Sequence, residues 1–341
     1  MGRFLGGRIG NFIQKKSSGY ADSGVHSIND QVYQRSLNGW KEGVNASGGD
    51  TLVQTSNYTY HVFKNPGNFT LNSASPQVID VLIVGGGGAG GNNEGGGGGG
   101  GGGVKFLDQH PITPGAHSIS IGGGGPAPGS SNSNPGSSDR GGNTIAFGWT
   151  AAGGAPGSQH HALFDPGQNS LNPGSGTWVR GCGGGSTGRN NIPGGSGLTN
   201  GGRCVSAGSP SDIDAGGGGG GAGGSGQDAP GSYHAGDGGD GLAVPAFPAD
   251  DLAPAFDAAW VSTVTSEGRY GGGGGGGTEL TAVSNGFGSG GAGGGGNGRH
   301  GGSSWPSADK NGMDYTGGGG GGYGGGAAWA GGGKGIVIIR Y

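Results

Sequence analysis

The sequence predicts a mainly β protein: a small antiparallel β-sandwich with a large inserted polyglycine II helix bundle, behind a short N-terminal adaptor. Three observations predict it. One hundred of the 341 residues are glycine, gathered in unbroken tracts. Short apolar runs separated by turn signals precede the longest of those tracts. A last apolar run, GIVIIRY at 335–341, has no use unless the chain returns to a core.

The tracts come first because they decide the class. Residues 95–103 are nine glycines in a row and 271–277 are seven, while 216–221 and 317–322 are six each. Glycine loses more chain entropy on ordering than any other residue, so such tracts do not make α-helices and make poor strands. Disorder is the first reading for a Gly- and Pro-rich chain without a fixed period. Against it stand the large aromatics spread through the same half: Trp149, Trp178, Trp260, Trp305, Trp329, Tyr233, Tyr270, Tyr315 and Tyr323. The ordered alternative is polyglycine II, an extended three-fold helix without internal hydrogen bonds, in which nine glycines span about 28 Å. Ordering each residue costs about 1–2 kcal/mol. Each lateral hydrogen bond returns about 0.5–1.5 kcal/mol net. A single tract is therefore expected to stay loose, and several tracts held side by side by a folded base to form a rigid slab. Collagen is excluded because the runs break the Gly-X-Y period.

Residues 1–47 read as the adaptor. They lack long glycine tracts and carry scattered apolar residues, among them Phe4, Phe12, Val32, Tyr33 and Trp40 as candidate docking side chains. Residues 29–37 read as a short helix with Ser27 or Asn29 as its cap. From about residue 48 the pattern turns to strands: 58–63 (YTYHVF), 78–84 (VIDVLIV), 104–107, 117–121 (HSISI), 144–149 and 335–341. Asn65-Pro66-Gly67 and Thr113-Pro114-Gly115 mark turns, proline presetting φ and glycine supplying φ > 0. The terminal run is expected to pair with 78–84, so that a sandwich of 48–149, completed by 335–341, clamps both ends of a glycine-rich insertion at 150–334. Within the insertion, residues 228–270 read as a protruding loop with a helical turn, Phe256 and Trp260 standing at i,i+4. His160, His161 and Phe164 mark another loop.

Composition narrows the function. Only 29% of residues are hydrophobic and 11% charged, too little apolar matter for a conventional core of this length. The net charge of −4 and the lack of a basic run argue against a nucleic-acid partner. No run approaches the length of a membrane span. Residues 1–16 are basic without an apolar core, which does not fit a secretory signal. Gly6 stands where a myristoylation pattern needs Ser or Thr. Asn45, Asn57 and Asn68 begin N-glycosylation triplets, which carry little weight without such a signal. Cys182 and Cys204 are the only cysteines. A bridge between them would close a loop of about 23 residues and stabilise by about 3 kcal/mol; two reduced thiols are the alternative.

Several motifs tempt and fail. Asp80-Val-Leu-Ile-Val-Gly85-Gly-Gly87-Gly-Ala-Gly90 is a strand running into GxGxxG. A dinucleotide site needs a helix after the third glycine, and a glycine tract follows instead. Gly333-Lys334 lacks both the upstream glycine and the following hydroxyl of a P-loop, since Ala328 and Gly335 stand there. His160-His161 lacks partners at metal spacing. Asp250 and Asp251 are adjacent carboxylates without a second cluster to work with. No nucleophile, base and orienting group are placed together, so neither an enzyme nor a cofactor nor a metal is read.

The order of pieces is nevertheless distinctive. YTYHVFKNPGNFTL, VIDVLIVGGGGAGG, a glycine tract, VKF, ITPGAHSISIGGGG and a final GGGKGIVIIRY resemble the glycine-rich domains of bacteriophage tail-fibre and adhesin proteins. The glycine-rich domain of certain animal receptor kinases is similar in plan, but nothing here suggests a kinase. Residues 20–43 (YADSGVHSINDQVYQRSLNGWKEG) resemble the start of marine-phage structural proteins. The resemblance implies a virion protein made in the host cytoplasm. Its N-terminus would attach to other virion proteins, and its loops would touch a bacterial surface glycan or outer-membrane protein. The implied contact residues are His160, His161, Phe164, Tyr233, Phe256, Trp260, Trp305 and Tyr315, with residues 190–193 a further loop. A homotrimer is expected from the phage-fibre analogy alone. A purely structural virion protein (head or neck fibre, or capsid decoration) and a cellular surface glycine-rich protein stay open as alternatives.

Overall fold

The computed structural model describes residues 43–92, 95–127, 139–158, 178–179, 182, 184–185, 197–199, 202–204, 215–230, 234–278, 286–300, 310–324 and 330–341. Its regular structure is mainly β. One open sheet has five antiparallel strands in the order β2-β3-β15-β5-β6: Thr51–Gln54, Thr59–Phe63, Ile336–Arg340, Gln77–Val84 and Val104–Ile112. The second is a six-stranded open sheet, β1-β4-β7-β8-β9-β10: Ala46–Ser47, Gly67–Leu71, Gly115–Ser120, Thr144–Ala146, Trp149–Ala151 and Trp178–Val179. It is antiparallel apart from the short β9–β10 pair. Two small ribbons, Gly197–Thr199 with Gly202–Cys204 (β11, β12) and Leu242–Ala243 with Arg269–Tyr270 (β13, β14), complete the strands.

The terminal strand is the centre of the five-stranded sheet. It pairs with β5, Val337 opposite Ile83, and on its other side with β3, Val337 opposite Phe63. Side chains alternate faces along a strand, and both faces of this sheet are buried. Ile79, Val81, Ile83, Val337 and Ile339 meet Phe69, Leu71, Ile119 and Ala146 of the six-stranded sheet. Tyr60, Val62, Leu82, Val84, Ile336 and Ile338 point the other way, onto Val244, Phe247, Leu252, Trp260 and Tyr270. Residues 242–270 are thus a packed lobe over the sheet rather than a protruding loop. They include α1 (Ala249–Leu252), a 3-10 turn (Ala253–Ala255) and α2 (Ala258–Val264).

The expected fold needs correction. In place of a sandwich carrying a large polyglycine II helix bundle, the described residues hold two open sheets and two short helical stretches, 249–255 and 258–264. Among the described residues the glycine tracts form no α-helix or 3-10 helix. They are buried, extended segments without regular secondary structure, and their hydrogen bonds run sideways to other segments. Gly85, Gly88 and Gly91 donate to Gly103, Gly100 and Gly97, which prolongs the β5–β6 pairing beyond the sheet. The intervening Gly86 and Gly87 donate to Gly142 and Gly333. This network begins at Gly85, well before the expected insertion at 150. Glycine disfavours the i→i−4 ladder of an α-helix and, lacking a Cβ, lets backbones touch, so each segment bonds to whichever neighbours the two sheets bring alongside. A Cβ on Gly274 would lie 2.0 Å from Gly320 O.

Smaller differences have local causes. Residues 144–149 are not one strand, because Phe147 (φ 51°) and Gly148 (φ 76°) turn the chain between β8 and β9. Strands β1, β2 and β4 were not expected; Ala46 and Ser47 of β1 pair with Leu71 and Thr70 of β4. Both expected turns stand between strands, β3–β4 and β6–β7. Cys182 is disulfide-bonded, and the chain's other cysteine is Cys204. The expected helix at 29–37 and the docking residues Phe4, Phe12, Val32, Tyr33 and Trp40 lie outside the described residues.

Two predictions follow from this packing. Gly274→Ala has no room and should lower unfolding free energy by about 3 kcal/mol or more in urea titration. Gly123→Ala, whose Cβ would meet nothing within 4 Å, should change it by less than about 0.5 kcal/mol. The second concerns His61, which is 2% exposed. Gly48 O can only accept, so Nδ1 donates to it at 2.7 Å, and Nε2 accepts from Tyr341 Oη at 3.0 Å. Burial lowers its pKa, outweighing the upward pull of the Gly48 carbonyl. The neutral ring is therefore the folded form. Below about pH 6.5 the unfolded chain binds the proton more readily, so stability falls with pH through that window. Melting temperatures between about pH 7.5 and pH 5 should fall more steeply for the native protein than for His61→Gln.

Candidate functional site

A cleft of about 810 Å³ opens where the helical lobe, the glycine layers and the end of β3 meet. Lys64 enters from the turn after β3. Asp50 fixes that turn, its Oδ2 accepting from the N–H groups of Lys64 at 2.6 Å and Asn65 at 2.9 Å. Burial pushes the Asp50 carboxyl up, but these bonds and that from the Asn65 side chain outweigh it and hold it low. Lys64 Nζ donates to Ala255 O at 2.5 Å and lies 4.1 Å from the Phe256 ring centroid.

The lobe supplies the aromatic wall. Asp257 is the N-cap of α2, its carboxylate accepting from Trp260 N at 2.8 Å, a preferred capping arrangement. The cap sets the helix so that Trp260 stacks on Phe256, ring centroids 3.6 Å apart and planes within 8°. Trp260 Nε1 donates to Tyr315 O at 3.4 Å. Tyr315 stands beside Phe256, ring centroids 6.2 Å apart, at φ 66°, a conformation that costs a side-chain-bearing residue about 1–2 kcal/mol. Its turn is held by Thr316 Oγ1, which donates to Met313 O and accepts from Gly318 N. Lys334 reaches the same ring, its N–H donating to the Asp314 carboxylate. Glycine backbone, Gly124, Gly125, Gly312, Gly331 and Gly332, lines the floor.

Three of the eight expected contact residues, Phe256, Trp260 and Tyr315, are therefore brought together. They are not equivalent. Trp260 is 3% exposed and belongs to the core beneath the lobe, while Phe256 and Tyr315 are half-buried at the cleft. His160, His161, Phe164, Tyr233 and Trp305 lie outside the described residues, as does the loop at 190–193. Sequence reasoning missed Lys64 and Lys334. The only available signal was their position beside turn and strand boundaries, in KNPG and GGGKG.

The lobe is bolted to the sheet from below. Tyr60 Oη donates to Asp251 Oδ2 at 2.6 Å, and burial followed by that carboxylate pushes the phenol pKa up. Arg340 pairs with Asp80 at 2.9 Å and donates to Ala246 O. A smaller depression of about 440 Å³ lies elsewhere, beside His110, His117 and Phe147. Among the described residues no three His, Cys, Asp or Glu side chains are grouped to hold a metal ion, and no helix is long and apolar enough to cross a membrane.

The burial difference gives a stability prediction. Trp260→Ala should cost about 3–5 kcal/mol in denaturant unfolding. Lys334→Gln, on an exposed side chain, should change stability by less than about 0.5 kcal/mol.

No curated protein matches the chain. A family model described as a glycine-rich domain matches residues 64–341, which takes in the cleft, the lobe, all the long tracts and every strand from β4 onward. By that match the chain belongs to the glycine-rich domain family.

Proposed function

We propose that this protein is a phage virion fibre or adhesin that attaches to the bacterial surface through side chains displayed on a rigid glycine-rich body. The observation that carries the reading is the cleft in which Phe256, Tyr315 and Lys64 converge on a glycine floor. Binding residues concentrate on loops fixed by a rigid scaffold, and half-buried aromatics suit stacking on sugars or packing against an outer-membrane protein. The resemblance of residues 58–147 and 331–341 to phage tail-fibre and adhesin domains supports the same reading. So does the marine-phage-like segment at 20–43, which would join the chain to other virion proteins.

A purely structural virion role has one observation in its favour: Trp260 is buried, and one face of Phe256 is spent on it. The two readings differ in what the cleft does. Asparagine tolerates positive φ, so Tyr315→Asn removes the ring without disturbing the turn. Particles carrying Tyr315→Asn should adsorb to host cells about tenfold more slowly, while assembling normally. Unchanged adsorption would favour the structural role. Immunogold labelling with antibody against residues 150–334 should mark the distal ends of tail appendages. Label over the capsid or neck would overturn the attachment reading, and absence of label from every particle would favour a cellular surface protein.

A further inference from the structure

The cleft also carries information about what it would hold. Tyr315 has two ammonium groups against its ring, Lys64 Nζ at 5.3 Å and Lys334 Nζ at 5.9 Å from the centroid. Among the described residues neither lysine is ion-paired. Two carboxylates also stand at the rim, Asp257 and Asp314; each accepts one backbone N–H, from Trp260 and Lys334, and keeps its charge and its remaining acceptor sites for hydroxyl groups. Lys64 spends one of its three donors on Ala255 O. The side-chain donors that flank the half-buried Tyr315 ring are thus both ammonium groups, while the carboxylates are acceptors without an ion pair to either lysine. The volume of about 810 Å³ falls in the range of small-ligand sites.

We infer that the cleft binds an anionic saccharide, a sugar ring bearing a carboxylate or a phosphate. The apolar face of the sugar would lie on Tyr315, and the anionic group between Lys64 and Lys334. The glycine floor would let the sugar approach the backbone closely, since no Cβ stands in the way. The inference rests on the reading of this cleft as a contact surface and goes further by naming the ligand class.

The test is calorimetric titration of the full-length protein with three probes: trigalacturonic acid, glucose 6-phosphate and uncharged maltotriose. At least one anionic probe should bind where maltotriose does not, the one that binds telling carboxylate from phosphate. Its affinity should fall about fivefold or more in Lys334→Gln and in about 0.5 M salt. A melting temperature equal to the native value would show that Lys334→Gln is folded. Tyr315→Asn should abolish binding of the same probe. Equal binding of maltotriose, or an anionic probe bound equally by Lys334→Gln, would overturn the inference. If no probe binds but Tyr315→Asn particles still fail to adsorb, the ligand class is wrong and the attachment reading stands. If no probe binds and adsorption is normal, both fall.

Discussion

Backbone atoms in neighbouring tracts approach so closely that no β-carbon can stand between them, and the rest of the molecule is arranged around that contact. A Cβ on Gly98 would lie 2.0 Å from Gly274 O, one on Gly274 2.0 Å from Gly320 O, and one on Gly319 2.1 Å from Gly99 O. Three tracts thus close on one another with no side chain among them. The bonds they make, such as Gly274 N to Gly99 O and Gly219 N to Gly274 O, barely offset the entropy of ordering glycine. The layer therefore depends on something else to set its neighbours side by side. The β frame does this: β5 runs without a break into Gly85, Gly103 runs into β6, and Gly335 N bonds Gly122 O just before β15.

The frame in turn is held from both faces. The six-stranded sheet covers one side of the five-stranded sheet, and the lobe at 242–270 covers the other. Arg340, the last residue of β15, pairs with Asp80, bonds Ala246 O and lies 4.3 Å from the Tyr58 ring centroid. One side chain thus ties the closing strand, its neighbour β5 and the lobe together. The cleft stands at the junction of these parts, so its walls inherit their positions from the core and its floor from the glycine layer.

Continuous apolar runs made the frame legible. VIDVLIV and GIVIIRY read as strands, and their mutual pairing was expected because no other run is as apolar. Short strands escaped: β1 and β2 offer too few residues for a pattern, and β4 was hidden by its own turn signal at Gly67. The break inside 144–149 escaped because Phe147 occupies a left-handed turn position where Asn or Gly is usual. Phe256 and Trp260 were legible as a pair from their i,i+4 spacing. Their burial was not, because the surface beneath the lobe is built from Tyr60 and Val62, distant in sequence. The glycine layer was legible as ordered but not in form. Composition says that backbones will touch, while the direction of each hydrogen bond depends on which segments the frame brings alongside. Lys64 and Lys334 gave no signal beyond their place beside turn and strand boundaries, where a lysine is ordinarily solvated.

That division separates two kinds of residue within one cleft. Trp260 packs into the core and fixes where α2 lies, so its identity is constrained by folding. Tyr315 and Lys334 reach the cleft from segments anchored through backbone, the Thr316 turn and the Asp314 cap of Lys334 N. The body leaves the Lys334 side chain exposed and packs the Tyr315 ring against Phe256 at the edge of the core. It also holds them before any partner arrives, which spares the ordering entropy that flexible loops lose on binding. Tyr315 goes further, since it keeps a conformation at φ 66° that most side chains avoid. The same left-handed conformation closes the turn at Phe147, and the Tyr315 ring also packs against Phe256 at the edge of the core, so this one turn serves the fold and shapes the cleft together.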